Sequence, residues 1–200
     1  TITRIWSDLK LLTVSSSISN RPGGGHAVAY NFLAQRAGDP HIMAVTSMTL
    51  LANHTTGHIP QTYTDFTPLS VLLTEYIAIA VRAESPLKTG KDLVEALRKA
   101  PNSLSLALSS AAGGTHHMSF AMPLLSGGVD VTKAKFVVFN SSGEAVTALL
   151  GGHVDVISAG TVQVAPFVTS GKLRVLAVSA PKRIGGALAS APTWHPSRRA

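Results

Sequence analysis

Apolar and polar positions along this chain switch repeatedly between a helical and a strand period, and the switches mark its elements. The pattern is clearest from residue 89 onward. Thr89 with Asp92 reads as a capping box, Leu93, Val94, Leu97 and Ala100 form an apolar stripe, and Pro101 ends that helix. Residues 104–109 read as a short strand, residues 111–114 as a small-residue turn, and Thr115 as the cap of a helix carrying Met118, Phe120, Ala121 and Leu124. Pro123 is a misfit within that helix. The unit then recurs: a strand at 135–139, a turn at Asn140-Ser141-Ser142-Gly143 and a helix at 144–150 closed by Gly151 and Gly152. It recurs again as a strand at 154–158, a turn at Ala159-Gly160-Thr161, a helix at 162–170 and a strand at 173–179. Strands alternating with helices after short turns predict an α/β fold with a parallel sheet covered on both faces.

Before residue 89 the same pattern is weaker. Strands are expected at 11–18 and 41–46, a helix at 27–36 between Gly25 and Gly38, and an irregular region at 54–68. Residues 76–81 are β-branched enough to form a strand that leaves this part and enters the next, and residues 173–179 would return the chain. Two α/β lobes joined by a pair of extended segments follow, with a cleft able to close on a ligand. The expected division is residues 1–78 for part of a first lobe, 79–175 for the second lobe, and 176–200 for the return to the first.

Composition narrows the possibilities. The 200 residues hold no cysteine, so disulfides and thiolate metal sites are excluded, and 45% hydrophobic content with 14% charge describes an ordinary globular chain. The formal charge of +7 comes from basic residues scattered from Arg4 to Arg199, and aromatic content is only 6%; neither suits a nucleic-acid surface. The apolar stretch at 69–81 is interrupted by Ser70, Thr74 and Glu75 and falls short of the ~20 residues a bilayer requires, so no membrane insertion is expected. The opening TITRIWSDLKLLTV carries no basic leader and no small-residue cleavage site.

Candidate chemistry lies in three strand-to-helix turns of one composition: Ser109 to Thr115, Asn140 to Gly143, and Ala159-Gly160-Thr161. In a parallel sheet such turns share the carboxyl edge, where free backbone N–H groups and positive helix ends converge on an anion. Glycine admits the anion to the backbone and Ser or Thr adds a donor without bulk, although the same residues are also ordinary caps.

The motifs SSAAGGTHHM, KAKFVVFNSSGEAVTALLGGHVDV and SGKLRVLAVSAPKR resemble the second domain of the receptor proteins of tripartite tricarboxylate transporters, a group of periplasmic solute-binding proteins. NRPGGGHAVAYNFLAQRAGDPH, DFTPLSVLLTEY and ESPLKTGKDLVEALRKAPNSLSLA fit the same pattern in order and spacing. The resemblance implies a two-lobed type II periplasmic-binding-protein fold, each lobe with a largely parallel sheet, joined by a two-strand hinge, the first lobe incomplete. It further implies a small organic carboxylate as ligand, a membrane permease as partner, a periplasmic location and no cofactor. By position it assigns ligand contacts to Ser47, Ser109, Ser110, Gly114, Thr115, His117, Asn140, Ser141, Ser142, Gly160 and Thr161, with a capping or packing role the favoured reading of His117. Relative to the family's pattern, an export signal, a first strand with its glycine-rich loop and the closing elements after Trp194 are expected to be absent.

Other chemistries find less support. His116 and His117 are neighbours about 100° apart on a helix and cannot chelate one ion together. His54 and His58 stand i, i+4, but Gly57 and Pro60 spoil a helix there, so no metal site is expected. No phosphate loop or G-x-S-x-G elbow occurs. The acids Glu75, Glu144 and Asp155 lack an evident catalytic partner, so an enzyme is not expected. A ligand-sensing domain of a regulator shares this fold, but would follow a helix-turn-helix segment not seen before residue 1.

Overall fold

The computed structural model describes residues 2–21, 23–109 and 112–194. In chain order the elements are α1 (Ile2–Asp8), α2 (Ala27–Ala34), α3 (Thr49–Thr55), β1 (Ile77–Arg82), α4 (Gly90–Lys99), β2 (Ser105–Leu108), α5 (Thr115–Ser126), β3 (Lys135–Val138), α6 (Ser142–Leu150), β4 (Val156–Gly160), α7 (Thr161–Thr169) and β5 (Leu173–Ser179). The alternation predicted after residue 89 is present throughout. The capping box forms as expected: Thr89 Oγ1 accepts from the Asp92 N–H at 3.2 Å, and the Asp92 carboxylate accepts from the N–H groups of Thr89 and Lys88 at 2.9 and 2.8 Å. Pro123 lies inside α5 without ending it.

The five strands make one sheet in the order β3-β2-β4-β1-β5. β2 is parallel to β3 and β4, whereas β1 is antiparallel to both β4 and β5. Four strands therefore run one way and β1, between β4 and β5, the other. The sheet is largely parallel, as expected, with β1 the exception, because hydrophobic period reports which face a residue occupies and not which way its strand runs.

Alternation along β1 builds both layers of the core. Ala78 and Ala80 face a cluster with Val146, Leu149, Ile157, Val164 and Val178, and Ile79 and Val81 face one with Leu93, Leu97, Leu106, Phe120 and Leu124. Alanine leaves room for α6 and α7 to approach one face, and the branched residues fill the space under α4 and α5. The chain finally returns through a parallel bridge between Val178 and Thr193, which seats Trp194 against Gly90. A Cβ on Gly90 would lie 2.7 Å from the indole, so the start of α4 admits no larger residue without movement.

Residues 2–75 depart further from expectation. α2 forms, but 11–18 and 41–46 do not form strands, and no sheet occurs among the described residues of this part. A helix closes its own hydrogen bonds, whereas a strand needs a neighbour, and none of the described residues supplies one here. Leu11, Val14, Ile18, Met43 and Val45 accordingly stay exposed, and a small cluster of Tyr30, Leu50 and Ile59 is the local core.

Leu97 is fully buried on α4 beneath the sheet. Truncating it, Leu97→Ala, is expected to lower the unfolding free energy by about 2–5 kcal/mol in urea titrations followed by circular dichroism, and a loss below about 1 kcal/mol would contradict the packing described.

Candidate functional site

Because β2, β3 and β4 run parallel, the turns that follow them open on one edge of the sheet, as the sequence pattern requires. Ile77, at the start of the opposing β1, pairs with Gly160 and with Ser179, so the chain enters and leaves the sheet at that same edge. Helices α5, α6 and α7 begin there, each presenting first-turn N–H groups that have no carbonyl partner within the helix.

The three turns are not equivalent. At α5, Gly114 is buried, Gly113 has a φ of +82°, and the hydroxyl of Thr115 has no hydrogen-bond partner among the described residues. At α6, Ser141 is the N-cap, its Oγ accepting from the Glu144 N–H at 3.2 Å, and the Glu144 carboxylate accepts from the Asn140 N–H at 3.2 Å. Ser141 and Asn140 thus serve the helix, whereas the Ser142 hydroxyl, half-buried, has no partner among the described residues. At α7 no loop intervenes: β4 runs through Gly160 and the helix starts at Thr161, whose N–H donates to the Tyr76 carbonyl at 3.0 Å. Glu75 and Gln163 place side-chain oxygens in the space that a Cβ on Gly160 would occupy. The third turn is therefore already filled by groups of this chain.

Behind the α5 turn lies a buried polar network not foreseen from the sequence. Ser158, on β4, has no exposed surface. Its carbonyl accepts from the Ser109 hydroxyl at 2.9 Å and from His116 Nδ1 at 2.9 Å, and its hydroxyl meets that of Ser119 at 2.8 Å. Ser119 Oγ donates to the His116 carbonyl at 2.7 Å, so Ser158 must be the donor in the hydroxyl pair. A carbonyl only accepts, so the His116 proton sits on Nδ1. His117 holds the opposite tautomer: its Nδ1 accepts from the Gly113 N–H at 3.0 Å, leaving the proton on Nε2. The His117 ring also packs edge-on against Phe136, with centroids 4.7 Å apart. It is both a packing residue and the fastening of the α5 turn.

Burial depresses the pKa of both imidazoles below the ordinary value of 6.5; for His116 the bond to Ser158 and the negative charge of Glu75 oppose that shift. Ser109 contributes a tether to this network more than a free donor. Ser47 Oγ accepts from the Thr49 N–H at 3.3 Å just before α3, and Ala52 of α3 with Thr56 after it stand 3.6 and 3.7 Å from where a Gly113 side chain would begin. α3 is thereby brought to the α5 turn. Ser110 lies outside the described residues. His116, Ser119, Ser158, Glu75 and Gln163 were missed as site residues. The only available signal was an acid placed just before a crossing strand.

Two shallow hollows lie at the other end of the sheet, one of about 310 Å³ beside Ala83, Gly171, Leu173 and Arg174, the other of about 340 Å³ beside Arg82, Glu84 and Lys172. Neither meets the α5, α6 or α7 turns. Arg82 spends its guanidinium on the Leu149 and Val154 carbonyls and on Glu84. No group of three or more metal-ligating side chains occurs among the described residues, and none of their helices is long and apolar enough to cross a membrane.

Comparison with known proteins bears on this edge. The profile of the tripartite tricarboxylate transporter family receptor matches residues 8–197. A UPF0065 protein from the gbd 5' region of Cupriavidus necator is 27% identical over 175 residues, 87% of this chain and 52% of that protein. Among solved structures, one described as a periplasmic transporter is 25% identical with a TM-score of 0.81, covering 96% of this chain and 66% of its own. An R. palustris protein solved with adipate is 25% identical with a TM-score of 0.77, covering 96% and 65%. The chain spans about half the length of the curated relatives it matches.

Depressed imidazole pKa values mean that the unfolded chain binds protons before the folded one does. Stability is then full above about pH 6.5 and falls as the pH drops from there toward the folded-state values. The thermal midpoint is expected to decline between about pH 7 and pH 5, and the double variant His116→Gln/His117→Gln to decline less steeply; equal slopes would remove the histidines from the explanation.

Proposed function

The chain belongs to the tripartite tricarboxylate transporter receptor family, and from that premise we propose that it binds an organic carboxylate where α5 and α6 begin and presents it to a membrane permease from the periplasmic side. The carrying observation is the pair of unengaged hydroxyls, Thr115 and Ser142, at the first turns of helices that open on one sheet edge. A carboxylate between them would accept backbone N–H and hydroxyl bonds, each strengthened by the ligand's charge and by the helix ends. No lysine or arginine is needed at the contact.

The adipate bound by the R. palustris neighbour supports a carboxylic acid as the ligand class. The proposed lobes are residues 1–78, with the return from 176, and residues 79–175, so that β1 and the end of β5 form the hinge between them. Closure over the α5 turn would bring α3 toward the ligand and exclude water from its bonds. The family is one of receptors, which supports binding followed by release with no bond made or broken.

Titration calorimetry with adipate, citrate and glutamate is expected to give saturable heat with at least one of them and no product on recovery. Replacing Thr115 by Leu should weaken the best of these ligands by about tenfold to a hundredfold, the size expected for a charge-assisted hydrogen bond and its blocked approach, with an unchanged circular dichroism spectrum. Unaltered affinity in Thr115→Leu would remove the α5 turn from the site.

A further inference from the structure

Glu75 places a carboxylate where the sequence pattern had assigned a ligand's carboxylate. It stands beside Gly160 with the Gln163 amide, filling the space above the backbone at the start of α7. The first N–H of that helix is already satisfied by the Tyr76 carbonyl at 3.0 Å. Glu75 itself has no lysine or arginine partner among the described residues, and its charge is felt by His116. His116 is neutral with its proton on Nδ1, which is committed to Ser158, so its Nε2 is an acceptor. One end of the edge therefore offers donors, the α5 and α6 first turns with Thr115 and Ser142. Its other end, at the start of α7, carries the negative charge of Glu75.

Resting on the carboxylate-receptor reading above, we propose that Glu75 is a specificity-determining residue: the cleft takes a ligand with a carboxylate at one end and an ammonium group at the other, and disfavours a second carboxylate. Like charges brought together without a counter-ion are repelled, whereas an ammonium group placed there gains a charge-assisted bond to Glu75. The three turns read alike in sequence, yet α7 differs from the other two because Glu75 enters from outside the α7 turn, carried by β1. A Cβ at position 160 would displace both Glu75 and Gln163, so glycine there is what lets the carboxylate lie against the helix start.

Adipate and 6-aminohexanoate have the same length and one shared carboxylate, and differ in the group at the other end, which isolates this effect. Calorimetry on the full chain and on Glu75→Gln reads it directly. In the unsubstituted protein 6-aminohexanoate is expected to bind at least about tenfold more tightly than adipate, and Glu75→Gln to narrow or invert that ratio by weakening the first and strengthening the second. Glu75 is exposed, so the variant is expected to fold, which its thermal midpoint checks. Preference for adipate in the unsubstituted protein, or a ratio unmoved by Glu75→Gln, overturns the role of Glu75 and leaves the carboxylate receptor standing. No saturable heat with either ligand in either protein overturns both readings.

Discussion

The site depends on β1. This strand is buried from Ile77 to Val81, carries both core layers on its two faces, and lies between β4 and β5. Because it runs against its neighbours, its first residue lies level with Gly160 and Ser179. Its position thus fixes where Tyr76 caps α7 and where Glu75 emerges. A strand with no exposed face and ladders on both sides cannot slip by one residue without moving alanines to the side filled by Ile79 and Val81 and the reverse. The register that brings the start of β1 level with Gly160 is therefore as firmly specified as the core itself.

Polar chemistry near the edge obeys a second constraint, complete satisfaction of buried groups. Ser158 is sealed in the sheet, yet both lone pairs of its carbonyl and its hydroxyl are used, by Ser109, His116 and Ser119. That network joins β4 to α5 and sets the proton of His116, while the bond from Gly113 to His117 sets the proton of its neighbour on the other nitrogen. Two adjacent histidines, uninformative as a sequence pair, become a donor and an acceptor with different tasks. Each such bond contributes about 1 kcal/mol net, but leaving any partner unpaired in this interior would cost more, so the arrangement is held as a unit.

In residues 2–75 the chain behaves differently. The segments at 11–18 and 41–46, expected as strands, form none, and their Leu11, Val14, Ile18, Met43 and Val45 are exposed. An apolar run of this kind is compatible with a strand, but β structure is not a local property. α2 and α3 form from the same region because each helix closes its own bonds, with Asn53 additionally donating to the Gly25 carbonyl at 2.6 Å to hold the glycine turn against α3.

The sequence by itself determined the elements from residue 89 onward, the capping box at Thr89 and Asp92, the family, and the gathering of small-residue turns at one edge, because caps, periods and glycine positions act within a few residues. It could not determine the direction of β1, the failure of 11–18 and 41–46 to form strands, the tautomers of His116 and His117, or the entry of Glu75 beside Gly160. Those depend on which distant segments become neighbours. Glu75 and Gly160 are far apart in the chain and meet only because one strand pair aligns Ile77 with Gly160. Local chemistry wrote three similar turns, and long-range pairing made the third one different from the others.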